Sequence, residues 1–431
     1  MMGRNSRDWR VVVLGAGAGG SAVLALLLAA CMLVFAILAS ARGGLAQDSQ
    51  TQAKVMLLGS ASALVGAISL TTAYHCVQHL RGRTIPVAPS SPLPFWQGLP
   101  LVGCWICSAW LAQLLLAGPW RLLSAILYLS SLGIPVYLLI RLTSGGLPSD
   151  SPAQFWGIFT TGMVLSAALA MLAELLLLAL LVAMAVVYLV VHPDQWTSLR
   201  HLGTSLAGVS GMEQLLETIS PWLTQPWVFV VALVIFSGFT PLIEETAKSA
   251  AVWLVFDRII SPARGFLAGA ISGAGFGLLE SLLAAATPDP NWTITLIVRG
   301  GSTMMHVMSG GLAGWGIASY RSTKRPRRLF LGFAAAFLLH GIWNASVLAV
   351  GFGAARMTLA ASSPGLMDLC FVIGGGTALG AMCIAIPAAL LTTNRRLRLG
   401  ASGPLPAHAI SAIDHDRGRG IPGPSPKGSA Q

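Results

Sequence analysis

Charge is scarce in this chain. Of 431 residues only 26 are Lys or Arg and 15 are Asp or Glu, too few to cover the surface of a soluble protein of this size. With 55% hydrophobic residues, that excludes ordinary globular enzymes and binding modules and leaves an all-α, polytopic membrane protein. Other absences narrow the reading. No repeat of solenoid length is present. The glycines of Gly15-x-Gly17-x-x-Gly20 imitate a dinucleotide fingerprint but lack the acidic residue expected about 20 positions on. Cys104-Trp-Ile-Cys107 lies in an apolar run without thioredoxin-like surroundings. No H-E-x-x-H helix announces a zinc protease. The net charge of +11 is scattered over short loops, where it orients a membrane protein and meets anionic lipid, so no nucleic-acid partner is expected.

Apolar runs of spanning length fall at 10–40, 54–79, 95–117, 119–141, 156–191, 227–256, 264–287, 294–320, 328–351 and 366–393, which predicts about ten transmembrane helices. Alternating these spans puts Arg42, Lys54, Arg121, Arg200 and Arg356 in outer loops, Lys248 and Arg299 within spans, and most other basic residues in inner loops. By the positive-inside rule both termini are then cytoplasmic. Ala39-Ser40-Ala41 has the form of a signal-peptidase site. The apolar run before it is about twice the usual length, so the first helix is expected to be retained. Residues 192–226 form the longest internal linker, with Glu213 and Glu217 and room for a short interfacial helix. The tail from 394 to 431, rich in Gly, Pro, Ser and Ala, is expected to be disordered and cytoplasmic.

The chemistry lies in the second half. Glu244, Glu245 and Lys248 stand in P-L-I-E-E-T-A-K within an otherwise apolar span, followed by Glu280, Arg299, His306 and His340 in the next three. A charged side chain at the bilayer centre costs about 3 kcal/mol, so five of them facing lipid would cost roughly 15 kcal/mol. They must share a polar cavity. Gly238-Phe239-Thr240-Pro241 predicts an interrupted helix, with Thr240 as N-cap and Pro241 at the first position of the restart. Lys248 lies one turn beyond both glutamates and can pair with either. Gly269, Gly273, Phe276 and Glu280 share one face, as do Arg299, Thr303, His306 and Gly310, while His340 and Asn344 are one turn apart. Alone, the glutamate–lysine triplet could be a neutralising ion pair, and either histidine a bridge between helices. Together they suit hydrolysis, with a glutamate taking a proton from water and histidine or asparagine donors steadying an oxyanion. Glutamate and histidine could equally bind zinc. Glu174, in the middle of the fifth span, has no partner legible from sequence.

These motifs, E-E-x-x-K at Glu244 to Lys248, F-x-x-x-E at Phe276 and Glu280, the span with Arg299 and His306, and H-x-x-x-N at His340 and Asn344, resemble the PrsW-type intramembrane proteases, relatives of the CAAX prenyl endopeptidase and bacteriocin-processing superfamily. The resemblance covers about residues 225–350. It implies a protease core at 225–351, preceded by N-terminal helices (1–220) of unassigned role and followed by a last membrane helix (366–393). The substrates implied are membrane-anchored proteins, in some members anti-sigma factors, cut in a bacterial plasma membrane. Lys248 replaces an arginine one residue later in the prenyl-endopeptidase branch, and Glu280 stands where that branch has histidine, which argues against prenylated substrates. The catalytic set is expected to be Glu244, Glu245, Lys248, Glu280, His306, His340 and Asn344. Should zinc be the cofactor, its expected ligands are Glu280, His306 and His340, although a metal-free glutamic mechanism is preferred. A proton-coupled transporter and a non-catalytic scaffold that binds transmembrane helices are the alternatives. A transporter would be expected to repeat its broken helices in two matching halves, and no such repeat is evident.

Overall fold

The structure, a computed structural model, describes residues 9–401 apart from 42–48, 84–93, 117–119, 148–150, 194, 210–213, 216–217, 219–224, 256–260, 289–290 and 360–364. The described residues are helical, without strands. In order they form α1 (Trp9–Ala41), α2 (Ser49–Leu80), α3 (Phe95–Leu116), α4 (Arg121–Ser144) and α5 (Pro152–Thr160). A π-helical turn, π1 (Thr161–Ser166), leads into α6 (Ala167–Val191), α7 (Gln195–Ala207) and α8 (Pro226–Leu233). A second, π2 (Val234–Phe239), leads into α9 (Thr240–Leu254), followed by α10 (Pro262–Ala284), α11 (Trp292–Thr323), α12 (Pro326–Leu359) and α13 (Leu366–Ala401).

Among the described residues nine helical stretches are long and apolar enough to cross a membrane, one fewer than predicted. The stretch that fails the test is α11, which is 32 residues long but carries Arg299, Ser302, Thr303, His306 and Ser309. Protein shields it: most of its length is buried, against α10, α12, α4 and α3, so it needs no continuous apolar surface. Helix α10 is likewise buried on all sides. Spans at the rim are the reverse, α6 having only Ala170 and Leu189 buried.

Glycine sets the distance between the two central helices. A Cβ at Gly265, Gly269 or Gly273 of α10 would collide with the backbone at Gly314, Gly310 or His306 of α11, so i, i+4 small residues permit backbone contact of the kind seen between membrane helices. The other side of α10 meets the π1 region, where Gly162 lies against Ser272 and Gly275 against Phe159. The N-terminal helices are therefore part of the same core, in which Leu57, Tyr128 and Met163 pack together with Phe266 and Leu282. The Tyr128 hydroxyl donates to the Leu282 carbonyl at 2.5 Å.

Two expectations change. The sixth span is not broken at Thr240: it continues through π2, and Thr240 has helical angles while no side chain caps the start of α9. Pro241 lacks an N–H, and a wider turn absorbs the missing bond without a break. The last helix does not stop at 393 but runs to Ala401, with buried Asn394 donating to the Thr143 carbonyl at 2.7 Å. A helix does occur in the linker, as α7, whereas Glu213, Glu217 and the tail from 402 lie outside the described residues.

Were α11 counted as a tenth span, the start of α1 and the end of α13 would lie on the same side of the membrane. A cysteine at Thr323, placed in a cysteine-free background, should react with a membrane-impermeant maleimide only from the cytoplasm, and one at Gln50 only from outside. Labelling of both from the same side would break the alternation.

Candidate active site

Four helices carry the polar residues to one place. Glu244, Glu245 and Lys248 project from α9, Glu280 from α10, His306 and Ser309 from α11, and His340 from α12. Glu244, Glu245, Lys248, His306 and His340 are all at most 7% exposed. Glu280 is the site's open edge, its side chain 37% exposed.

Lys248 Nζ lies 2.7 Å from Glu245 Oε1, 3.3 Å from Glu244 Oε2 and 2.7 Å from His306 Nδ1. The ring of Phe276 covers it, with its centroid 4.6 Å from the nitrogen. An ammonium can only donate, so His306 Nδ1 accepts and its Nε2 carries the hydrogen. That N–H donates to Glu280 Oε2 at 2.5 Å, and Arg299 Nη2 lies 3.0 Å from the same oxygen. The chain Lys248–His306–Glu280–Arg299 thus crosses three helices, with a neutral imidazole relaying between the ammonium and the carboxylate.

The adjacent glutamates are treated differently. Glu245 Oε1 takes Lys248, the Ser309 hydroxyl at 2.9 Å and His340 Nδ1 at 2.8 Å. Because a carboxylate accepts, His340 donates from Nδ1 and keeps Nε2 for the other side. Glu244 Oε2 has the ammonium as its ion-pair partner but is buried without a hydrogen bond. It lies 3.8 Å from His340 Nε2 and 3.9 Å from His306 Nδ1. Glu245 is held by three donors on Oε1 while its Oε2, like Glu244 Oε2, is buried without a hydrogen bond; Glu244 Oε2 is the one that lies close to both imidazoles.

Glu244, Glu245, Lys248, Glu280, His306 and His340, all expected from sequence, meet here. Asn344 does not join them. Its Nδ2 donates to the Phe236 carbonyl at 2.9 Å, the acceptor left without an i+5 N–H donor by Pro241 in the π turn. Asn344 therefore secures the turn that precedes Glu244. Ser309, which bonds Glu245, and Ser272, whose hydroxyl donates to the Lys248 carbonyl at 2.8 Å, were not anticipated. The signal for Ser309 was its position one turn after His306.

Among the described residues, the ligand atoms of Glu244, His306 and His340 converge within 4.8 Å of one another, as a metal ion would require. Glu244 takes the place given from sequence to Glu280, because Glu280 sits on the far nitrogen of His306. The donor types suit zinc, and each imidazole anchors its other nitrogen on a carboxylate, Glu245 or Glu280, as metal-binding histidines do. However, the His306 nitrogen that faces Glu244 already accepts from Lys248, so an ion would fit only after the ammonium moved away.

Gly273 tests the geometry. A methyl group there would meet the His306 carbonyl, whereas one at Gly238, in π2, would meet nothing within 4 Å. Gly273→Ala should force α10 and α11 apart, costing about 1–3 kcal/mol and most of the proteolytic activity. Gly238→Ala should keep wild-type thermal stability. Equal stability of the two variants would contradict the packing.

Residues 192–373 match the family described as PrsW family intramembrane metalloprotease. Comparison with curated proteins and with solved structures returned no match. The matched segment contains every residue of the cluster and the helices α8 to α12 that position it, and within this bundle of membrane helices it is a PrsW-family intramembrane endopeptidase domain.

Proposed function

We propose that the cluster around Lys248 is the catalytic centre, with Glu244 as the general base for peptide-bond hydrolysis. The observation that carries this assignment is the placement of Glu244 Oε2, which is buried, free of hydrogen bonds and 3.8 and 3.9 Å from the two imidazoles, while Glu245 is held in place through Oε1 by three donors. A water held between Glu244 and the imidazoles would lose a proton to Glu244 as it attacks the substrate carbonyl. Lys248 balances the carboxylates and can follow the negative charge as it moves to the carbonyl oxygen. His340, whose Nδ1 is pinned on Glu245, offers Nε2 toward the same space. Glu280 and Arg299 orient His306, and Asn344 secures the π turn before α9. The substrates are membrane-anchored proteins, regulators such as anti-sigma factors among them, reached from the bilayer. The cytoplasmic position of both termini, in a bacterial plasma membrane, completes this reading.

Zinc is the second reading, favoured by the carboxylate behind each histidine and by the family's description. It would be held by Glu244, His306 and His340 and would supply Lewis acidity to water or carbonyl. The bond from Lys248 to His306 Nδ1 favours the ammonium as the resident cation.

Glu244→Gln preserves shape and removes the base. It should lower cleavage of a membrane-anchored substrate at least about 100-fold, the lower range of a general-base contribution, while the protein inserts and melts like wild type. Fragment proteomics of membranes from cells carrying either form would read this, and an undiminished product set from the Gln variant would remove Glu244 from the mechanism.

Metal analysis separates the two cations. Purified protein is expected to hold well under one zinc per chain and to keep its activity after chelation. Stoichiometric zinc whose removal stops cleavage, and whose return restores it, would replace the ammonium mechanism with the metal one.

A further inference from the structure

One charged residue near the catalytic cluster belongs to neither the family segment nor its ion pairs. Glu174 stands on α6, N-terminal to the matched residues, in the middle of the long fifth span. Its neighbours Leu175, Leu176 and Leu178 are more than half exposed on what is a lipid-facing helix. Glu174 itself is only half-buried and has neither a hydrogen bond nor a salt bridge among the described residues. An unpaired carboxyl group at this depth is costly if it faces hydrocarbon, so its persistence calls for a use.

Packing shows where it points. Ala170, one turn before Glu174, forms a small apolar cluster with Ala247 of α9 and Phe276 of α10. Glu280 lies one turn after Phe276. The fifth and seventh spans run in the same direction across the membrane, so the step from Ala170 to Glu174 parallels the step from Phe276 to Glu280. Glu174 consequently faces the open edge of the site, where it interacts electrostatically with Glu280, Lys248 and Glu244. The other carboxylates there each reach a cation, Glu244 and Glu245 sharing Lys248 and Glu280 taking Arg299. Two cations thus face three carboxylates already, and Glu174 adds a further negative charge with no salt bridge of its own among the described residues.

We propose that Glu174 is a specificity-determining residue that binds a lysine or arginine side chain of the substrate beside the bond to be cut. The proposal rests on the reading that the Glu244 cluster is catalytic. A lone cation in a substrate's membrane segment is as costly to the bilayer as a lone carboxylate, and docking relieves both at once. The N-terminal helices then do more than support the protease fold: α6 supplies one wall of the substrate cleft and the charge that selects what enters it.

The test uses the full chain in lipid nanodiscs and a mixture of single-span Leu/Ala-rich peptides that differ only by Lys, Gln or Glu, scanned through the central positions. Products are counted by mass spectrometry within one reaction, so the ratio does not depend on how much enzyme is active. Wild type should favour Lys over Glu peptides by about tenfold or more, the scale of one charge pair away from bulk water. Glu174→Lys should reverse that order, and Glu174→Gln should bring the ratio toward one, mainly through KM. A Lys-to-Glu ratio unchanged by Glu174→Lys would overturn the proposal, as would a wild-type enzyme that cuts none of the Lys peptides. Glu244→Gln, run in parallel, keeps the two readings apart. Persistent cleavage by that variant would refute the catalytic assignment, whereas its inactivity together with an unmoved ratio in Glu174→Lys would refute the role of Glu174 alone.

Discussion

The Lys248 ammonium is the contact on which the rest of the site depends. Buried beneath Phe276, it reaches two carboxylates and an imidazole belonging to two helices. Removing the ammonium would leave two carboxylates without a cation in a poorly polarisable interior, a loss of several kcal/mol. The lysine also settles the proton on a neighbouring ring. Because it donates to His306 Nδ1, the hydrogen of that imidazole must lie on Nε2 and be spent on Glu280. A single cation thereby decides the orientation of the histidine on α11 and the engagement of the glutamate on α10.

Such a set can be assembled only if the helices come close, and here glycine determines chemistry. With Gly269 and Gly273 against Gly310 and the His306 backbone, α10 and α11 meet backbone to backbone, which leaves His306 within reach of α9 on one side and Glu280 on the other. Larger residues would move the imidazole outward by more than a hydrogen bond tolerates. Behind α10, the π1 region presses Gly162 and Phe159 into a second close contact. The N-terminal half therefore holds the central helix on a side that α11 does not cover.

Much of this was legible in the sequence because the bilayer makes charge conspicuous. Glu244, Glu245, Lys248, Glu280, His306 and His340 could be picked out since nothing in hydrocarbon tolerates them singly, and the glycine stripe of α10 predicted the face that meets a neighbour. What failed to show was anything decided by pairing. Whether Glu280 would stand with the other glutamates or behind His306 depends on the rotation of α10 about its axis, which a one-dimensional pattern leaves open. Asn344 looks like an oxyanion donor by composition, yet it bonds the Phe236 carbonyl, because Pro241 turns a helix break into a π turn and leaves an acceptor in need. The polarity that made α11 informative also disqualified it by hydropathy, since burial in protein replaces the apolar surface a lipid-facing span requires.

Adjacent residues on a helix point about 100° apart, and that rotation is enough to divide the labour between Glu244 and Glu245. Glu245 faces α11 and α12, where Ser309 and His340 are ready donors, and with Lys248 added one of its oxygens has no capacity left for substrate. Glu244 is turned out of that nest. It keeps the ammonium as a counterion at 3.3 Å, and its hydrogen-bond-free Oε2 lies 3.8 and 3.9 Å from the two imidazoles, where the proposed mechanism puts its water. In the proposed mechanism the E-E pair is an anchor and a reagent, and moving the charge one residue along the chain would not exchange one for the other.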